Sequence, residues 1–193
     1  MTRLFETVPD HQVVRFLAEN PLAWIVASKD PASALLMPVL LDSPSLSGGS
    51  FIGHLPRSVP AVAALQENGS ATLMFLGPHA YIPPGWITKP GWAPTWNFVS
   101  LKATGYIELD DALTETAVSR LVAHMETDSH SGWTIERVGP RVNGLLGAII
   151  GFRMRIESIT PRFKTGQDET EQSYGEIYAA LAGHPLQAWM KKS

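Results

Sequence analysis

Apolar runs and alternating apolar and polar residues mark several short segments of the chain, and both patterns are typical of β-strands. The connectors between the early segments, such as KDPA and SPSLSGG, carry the Asp, Ser, Pro and Gly that turns need. The predicted strands are Leu22–Ser28, Ser33–Asp42, Ser50–Leu55, Ser70–Gly77, Asn97–Asp111 and Ile150–Lys164. The first three follow one another closely, as the strands of an antiparallel meander do.

A helical spacing of apolar residues appears between some of these strands. It is clearest in Asp111–Thr127, where one stripe of the helix carries Leu113, Ala117, Leu121 and Met125. Further helices are predicted over Asp10–Asn20, Arg57–Asn68, Glu136–Ile149 and the late segment YGEIYAALAG. The regular strand–helix alternation of a doubly wound sheet is missing. The chain is therefore predicted to be mainly β with peripheral helices, an antiparallel β-barrel of the α+β kind.

Composition narrows the class of function. The chain has 193 residues, a net charge of −3 and no cysteine, so disulfides and thiolate chemistry are excluded. Its fifteen basic residues are scattered, whereas nucleic-acid binders gather Lys and Arg in a stripe, so a nucleic-acid partner is not favoured. Apolar runs such as ALLMPVLL are too short to cross a bilayer, and no secretory signal is visible. A cytoplasmic protein without a membrane partner is expected.

The motif GHLPRSVP joins the end of a predicted strand to the start of a predicted helix. Helix N-termini offer free N–H groups, and a guanidinium matches phosphate with two parallel donors. Arg57 and Ser58 are thus candidates for an anionic phosphate, with His54 close by. The alternative is an ordinary capping serine beside a solvated arginine, and cap serines are common.

The segment GPHAYIPPGWITKPGWAPTWNF, from Gly77 to Phe98, is predicted to be a stiff aromatic loop because it holds five prolines and three tryptophans. Such a loop suits one wall of a site for a planar ligand, and it suits a subunit contact equally well. Asn97 either hydrogen-bonds the edge of a heterocycle or forms a local turn. The run HMETDSH crosses a predicted helix end, so its side chains are not expected to converge on a metal.

Three stretches in fixed order, GHLPRSVP, FLGPHAYIPPGW and PTWNFVSLKATGYIELDD, followed by FKTGQ, resemble the PaiB family. That family is described as FMN-binding negative transcriptional regulators with a split β-barrel related to flavin reductases and pyridoxamine-phosphate oxidases. The resemblance implies a homodimer with FMN at the subunit interface. It also implies a split-barrel domain over residues 1–170 and a C-terminal helical tail, 171–193, packed on that domain or on the dimer partner.

The resemblance assigns roles to ten residues. Arg57 and Ser58 would hold the FMN phosphate, with His54 and Leu55 along the ribityl chain or ring. Met37 and Pro38 would offer backbone groups to the ring edge, and Trp96 and Asn97 would border the ring. Lys164 and Gln167 would close the site from the partner subunit. The cofactor-binding residues are therefore predicted to be Met37, Pro38, His54, Leu55, Arg57, Ser58, Trp96, Asn97, Lys164 and Gln167.

Two functions follow from these observations. The first is an FMN-binding protein that acts as a flavin-dependent regulator or as an oxidoreductase, in which FMN transfers electrons and the protein orients it. The second is a DNA-binding repressor in which the barrel serves as a dimerisation scaffold. The second finds no helix-turn-helix with a basic second helix, and the acidic charge is against it.

Overall fold

A computed structural model of the chain describes residues 4–43, 45–127 and 132–190. Six strands lie within these ranges: β1 (Leu22–Ala27), β2 (Leu35–Leu41), β3 (Ser50–Pro56), β4 (Ser70–Ile82), β5 (Thr95–Asp110) and β6 (Ile149–Lys164). They form a closed barrel in the order β1-β2-β3-β6-β5-β4. The first three strands are neighbours in chain order, as the short connectors predicted.

The helices lie before the first strand, between later strands and after the last one. The α-helices are α1 (Asp10–Glu19), α2 (Pro60–Glu67), α3 (Thr114–Glu126), α4 (Val142–Gly147) and α5 (Glu171–Ala180). Short 3₁₀ turns occupy Pro31–Ser33, Pro84–Trp86, Asp111–Leu113, Ile135–Arg141 and Pro185–Trp189. The prediction of an antiparallel barrel with peripheral helices is confirmed.

The chain divides into two compact units. Residues 14–75 and 102–159 form the first, called here the barrel unit. The residues before 14, residues 76–101 and the residues from 160 onward form the second, called here the terminal unit.

Alternating burial explains the strands of the barrel unit. On β1, Ala23, Ile25 and Ala27 are fully buried, while Leu22 and Trp24 between them are exposed. Antiparallel pairing sets Trp24 opposite Leu36 of β2 and opposite Met74 of β4. The core includes Phe51 and Phe75, whose ring centres lie 5.7 Å apart. Burying one such side chain stabilises the fold by about 1.5–3 kcal/mol.

The C-terminal segment contributes core to the terminal unit. Trp189 meets Phe163 edge to face at 5.6 Å between ring centres, and the Tyr174 hydroxyl donates a hydrogen bond to the Met190 carbonyl. Ile177, Leu181 and Leu186 are also buried. Residues 171–190 thus contribute buried side chains to the terminal unit.

Two local expectations need correction. Ser58 is not the N-cap of α2, because the helix begins at Pro60 and Val59 caps it with extended backbone angles. A proline keeps the residue before it out of the helical region, so the cap lies one residue later than expected, at Val59. The predicted loop is also shorter, because β4 runs on to Ile82 and β5 begins at Thr95.

Gly105 lies where two strands of the barrel unit come very close. A Cβ atom added there would stand 2.0 Å from the Arg155 carbonyl oxygen of β6. Only a residue without a side chain lets the two backbones approach this closely.

Candidate functional site

The end of β3 positions two of the predicted residues in the barrel unit. Leu55 is fully buried in the core and pairs with Ile150 of β6, so its side chain points away from solvent. His54 is half-buried, and its Nδ1 atom has no hydrogen-bond partner in the described part of the chain. Burial lowers the pKa of His54 below its ordinary value, because the charged imidazolium loses hydration. His54 is therefore a neutral imidazole at pH 7.

Arg57 already has partners in the barrel unit. Its Nε donates to the Gly147 carbonyl at 3.1 Å, and its backbone N–H donates to the Ala148 carbonyl at 3.0 Å. Its guanidinium also forms an ion pair with the Asp111 carboxylate. Gly147 ends α4, and the last carbonyls of a helix lack partners within the helix. Arg57 thus caps α4 and neutralises Asp111, whereas Ser58 lies exposed in the adjoining turn.

Met37 and Pro38 lie on β2, opposite Ala23 and Leu22 of β1. Both are half-buried. The Pro38 carbonyl oxygen faces Gly53 of β3, where an added Cβ atom would stand only 3.2 Å away. The backbone beside Pro38 is therefore closely approached by the next strand.

In the terminal unit, the connection after β4 is fastened to α5. The Thr88 backbone N–H donates to Glu176 at 3.0 Å, and the Thr88 hydroxyl donates to the same carboxylate. The hydroxyl and then the backbone hydrogen bond hold the pKa of Glu176 below its ordinary value. Trp92 donates from its ring nitrogen to Glu169 at 3.0 Å. Thr88 and Trp92 thus fasten the loop by hydrogen bonds to two acidic residues.

One face of β5 carries a buried hydrogen-bond donor that lacks an acceptor among the described residues. Asn97 is 1% exposed, and its side-chain nitrogen has no hydrogen-bond partner within the described residues. Thr95, two residues earlier and so on the same face, accepts a hydrogen bond from Lys164 Nζ of β6. No carboxylate among the described residues pairs with Lys164. A half-buried ammonium whose partner is a hydroxyl keeps its charge available for a ligand.

Gln167 has a structural task in the turn after β6. Its amide oxygen accepts from the Thr165 N–H at 2.7 Å, and its amide nitrogen donates to the Phe163 carbonyl at 2.6 Å. Gly166 within this turn has a φ of 92°, which favours glycine. Both ends of the Gln167 amide are therefore used by its own turn.

Trp96 lies on the opposite face of β5 and is 52% exposed. Its ring centre is 5.7 Å from that of Tyr81 and 6.1 Å from that of His79, both on β4. On β4 the exposed positions alternate with buried ones as far as Leu76, and the next exposed positions are His79 and Tyr81, so the alternation shifts by one residue at Gly77–Pro78. A β-bulge produces a shift of this kind.

Two contacts in these groups were not found from the sequence. Asp111 was assigned to the end of a strand and the start of a helix, and it is the partner of Arg57. Thr95 was part of the motif PTWN, but nothing in the motif indicated that it binds Lys164. Both contacts join residues more than fifty positions apart, and a single sequence gives no signal for pairs of that kind.

Asp128 and His130 of the HMETDSH run lie outside the described residues. Within residues 4–43, 45–127 and 132–190, no group of three His, Asp or Glu side chains is placed to hold a metal ion. No helix in the same ranges is long and apolar enough to span a membrane.

Comparison with known sequences gives two curated relatives. The chain is 26% identical over 183 residues to the protease synthase and sporulation protein PAI 2 of Bacillus subtilis, and the match covers 93% of this chain and 87% of that protein. It is 30% identical over 207 residues to an uncharacterized protein of Aspergillus fumigatus, with 80% of this chain and 79% of that protein covered.

Solved structures share the fold at low identity. An FAD and heme binding protein from Mycobacterium smegmatis matches with a TM-score of 0.61 and 14% identity, over 90% of this chain and 78% of that chain. The flavocytochrome Anf3 from Azotobacter vinelandii matches with a TM-score of 0.60 and 17% identity, over 85% and 72% of the two chains. The predicted flavin-reductase-like split barrel is confirmed.

The family assignment rests on a match that spans most of the chain. Residues 1–158 match a family described as "Putative FMN-binding domain". The resemblance to PaiB and the prediction of FMN as the cofactor are confirmed by this match together with the Bacillus subtilis relative. The chain therefore belongs to this FMN-binding family.

Proposed function

We propose that the protein is a homodimer that binds FMN at the subunit interface and transfers electrons through it. One observation carries the proposal. In the described part of the chain, the buried side-chain nitrogens without a hydrogen-bond partner are His54 Nδ1 and Asn97 Nδ2. Both belong to residues that the sequence assigned to the cofactor. An unsatisfied buried polar atom costs about 1–3 kcal/mol, so a ligand that satisfies it gains affinity.

The donors fit the chemistry of FMN, which offers ring carbonyls, ribityl hydroxyls and a phosphate as acceptors. Asn97 and Lys164 would donate to such acceptors, and Trp96 would border the flat ring. His54 is neutral, so we assign it to a ribityl hydroxyl rather than to a negative charge. When bound, FMN supplies one- and two-electron transfer.

The remaining predicted residues are assigned roles that do not depend on an unsatisfied buried atom. Arg57 and Ser58 would hold the phosphate, which requires Arg57 to exchange its present carboxylate partner. Met37 and Pro38 would offer backbone groups to the ring edge. Leu55 would support the site from within the core. Gln167 would act by holding the turn that follows Lys164.

The dimer is supported by an apolar patch on the outside of the barrel unit. Trp24 is 48% exposed, and its cross-strand neighbours Leu36 and Met74 are similarly exposed. Contiguous exposed apolar side chains of this kind mark interaction surfaces. We expect a dimer in light scattering after size exclusion, and a monomer for Trp24→Lys. A monomeric wild type would contradict this part of the proposal.

A titration of apoprotein with FMN tests the binding. We expect quenching of flavin fluorescence that saturates at one FMN per chain, and an absorption spectrum perturbed in the flavin bands. Reduction of the bound FMN by NADH or NADPH, followed by its reoxidation, would support the oxidoreductase role. Bound FMN that neither nucleotide reduces would favour a regulator that responds to flavin. Absence of saturable quenching would contradict the proposal as a whole.

The DNA-binding alternative predicts a different result. A repressor that contacts phosphates directly should be retained on duplex DNA in a salt-dependent way. The net charge of −3 favours no retention at moderate salt. Retention that falls steeply with salt would move the function to DNA binding, with the barrel as a scaffold. A cytoplasmic location is part of the proposal.

A further inference from the structure

Arg57, the proposed phosphate ligand, is held by an internal anion. Its guanidinium forms an ion pair with the Asp111 carboxylate, and its Nε donates to the Gly147 carbonyl. Only the carboxylate carries a charge that resembles a phosphate. Asp111 therefore holds the position on the guanidinium that a phosphate oxygen would need.

Among the residues that the structure describes, the Asp111 side chain makes no hydrogen bond or ion pair other than the one with Arg57. It is the first residue of the 3₁₀ turn Asp111–Leu113, but the cap of that turn is Asp110, whose carboxylate accepts from the Ala112 N–H at 2.8 Å. The Asp111 side chain is 73% exposed, and Arg57 is 39% exposed. An ion pair this accessible to water opens at little cost. The carboxylate can leave without disturbing the cap or the core.

We propose that the Asp111 carboxylate competes with the FMN phosphate for Arg57, and so sets how strongly the protein prefers FMN over riboflavin. This inference rests on the proposed function, and within it assigns a specificity role to a residue outside the cofactor-binding set. A phosphate has more charge and more acceptor oxygens than a carboxylate, so it displaces the Asp111 carboxylate from the Arg57 guanidinium. Riboflavin has no phosphate and leaves the pair intact.

The test compares dissociation constants for FMN and riboflavin, measured by fluorescence quenching at low salt. Asp111→Asn keeps the size of the side chain and removes its charge. Because an exposed pair contributes little, we expect this variant to bind FMN about two- to fivefold more tightly. Its affinity for riboflavin should equal that of the wild type. The control is Glu115→Gln, an exposed acid in the first turn of α3, which should change neither constant.

A double variant locates the effect at Arg57. Arg57→Ala with Asp111→Asn should bind FMN as weakly as Arg57→Ala alone, because the competition no longer exists. The inference is wrong if Asp111→Asn leaves FMN affinity unchanged or lowers it, or if riboflavin affinity rises equally. It is also wrong if the gain persists without Arg57.

Failure of the inference differs from failure of the proposed function. If the wild type binds neither flavin, the proposed function is wrong and the inference falls with it. If the wild type binds FMN, Arg57→Ala weakens that binding and Asp111→Asn does not strengthen it, the proposed function stands and only the competition is wrong.

Discussion

The two cationic groups assigned to FMN differ in how the protein itself uses them. In the barrel unit, Arg57 is engaged by the Asp111 carboxylate and the Gly147 carbonyl. In the terminal unit, the Thr95 hydroxyl is the only partner of Lys164 among the described residues, and Asn97 has an amide nitrogen with no partner among them. A carboxylate therefore balances the positive charge of Arg57, whereas none of the described carboxylates balances that of Lys164.

Arg57 therefore contributes to the fold itself, whereas we expect Lys164 and Asn97 to gain further partners when a ligand binds. A ligand gains at Arg57 only the excess of its attraction over that of Asp111. At Lys164 it gains a charge-assisted hydrogen bond without first breaking an ion pair. Perturbing each group should therefore change flavin binding by different amounts and with different ligand dependence.

The largest effect is expected at Lys164. Lys164→Met keeps the length of the side chain and removes the charge, so FMN and riboflavin should both bind about 10- to 100-fold more weakly. Fluorescence titration measures both constants. Lys102→Met, an exposed lysine on β5, is the control and should bind both flavins like the wild type. Unchanged constants for Lys164→Met would remove Lys164 from the site.

The next effect is expected at Arg57, and it should depend on the phosphate. Arg57→Ala should weaken FMN binding by at least about tenfold and leave riboflavin binding unchanged. Arg155→Ala, an exposed arginine of β6, serves as the control. Equal losses for FMN and riboflavin would show that Arg57 acts by supporting α4. An unchanged FMN constant would remove Arg57 from the phosphate role.

A smaller effect is expected at Asn97, where one substitution should stabilise the apoprotein and weaken FMN binding. Asn97→Leu replaces a buried unsatisfied amide by an apolar group of similar size, so the apoprotein should gain about 1 kcal/mol in free energy of unfolding. FMN binding should weaken by about fivefold, since a hydrogen bond to the ligand is lost. Urea unfolding of apoprotein and fluorescence titration measure the two changes. A destabilised apoprotein would mean that Asn97 is satisfied in the absence of ligand.

The smallest effect concerns His54 and pH. Burial lowers the pKa of His54 in the folded state. Below the ordinary histidine pKa of about 6.5, His54 is therefore protonated more fully in the unfolded chain than in the folded protein. The free energy of unfolding should therefore fall as the pH drops below about 6.5. In His54→Asn this fall should be smaller, whereas the exposed His11→Asn should retain it. Identical pH slopes for His54→Asn and the wild type would show that His54 contributes nothing to the fall.

The sequence predicted the barrel because alternation is a local signal. Leu22, Ser50 and Ser70 were each placed correctly as the first residue of a strand, and the strand predicted to end at Asp111 ends one residue earlier, at Asp110. The cap of the helix after Arg57 was predicted one residue too early, because Ser58 has the chemistry of a cap while Pro60 fixes where the helix can start. The extension of β4 past Gly77 was missed because the sequence Gly77–Pro78 is typical of the end of a strand.

The candidate site was only partly predictable. Motifs selected Asn97 and Lys164, but the charge state of a site depends on which residues lie beside it. The Asp111 partner of Arg57 and the Thr95 partner of Lys164 come from distant parts of the chain. The sequence therefore identified Arg57 and Lys164 as candidate cations, but it did not show that a carboxylate neutralises Arg57.

The most direct test of the central claim is a titration of purified apoprotein and of Lys164→Met with FMN, followed by fluorescence quenching. The claim is that the unsatisfied Asn97 amide nitrogen of β5 and Lys164, which has no carboxylate partner among the described residues, bind the cofactor. It predicts saturation at one FMN per chain for the wild type and an affinity about 10- to 100-fold lower for the variant. Equal affinities in the two proteins, or no saturable binding in either, would contradict it.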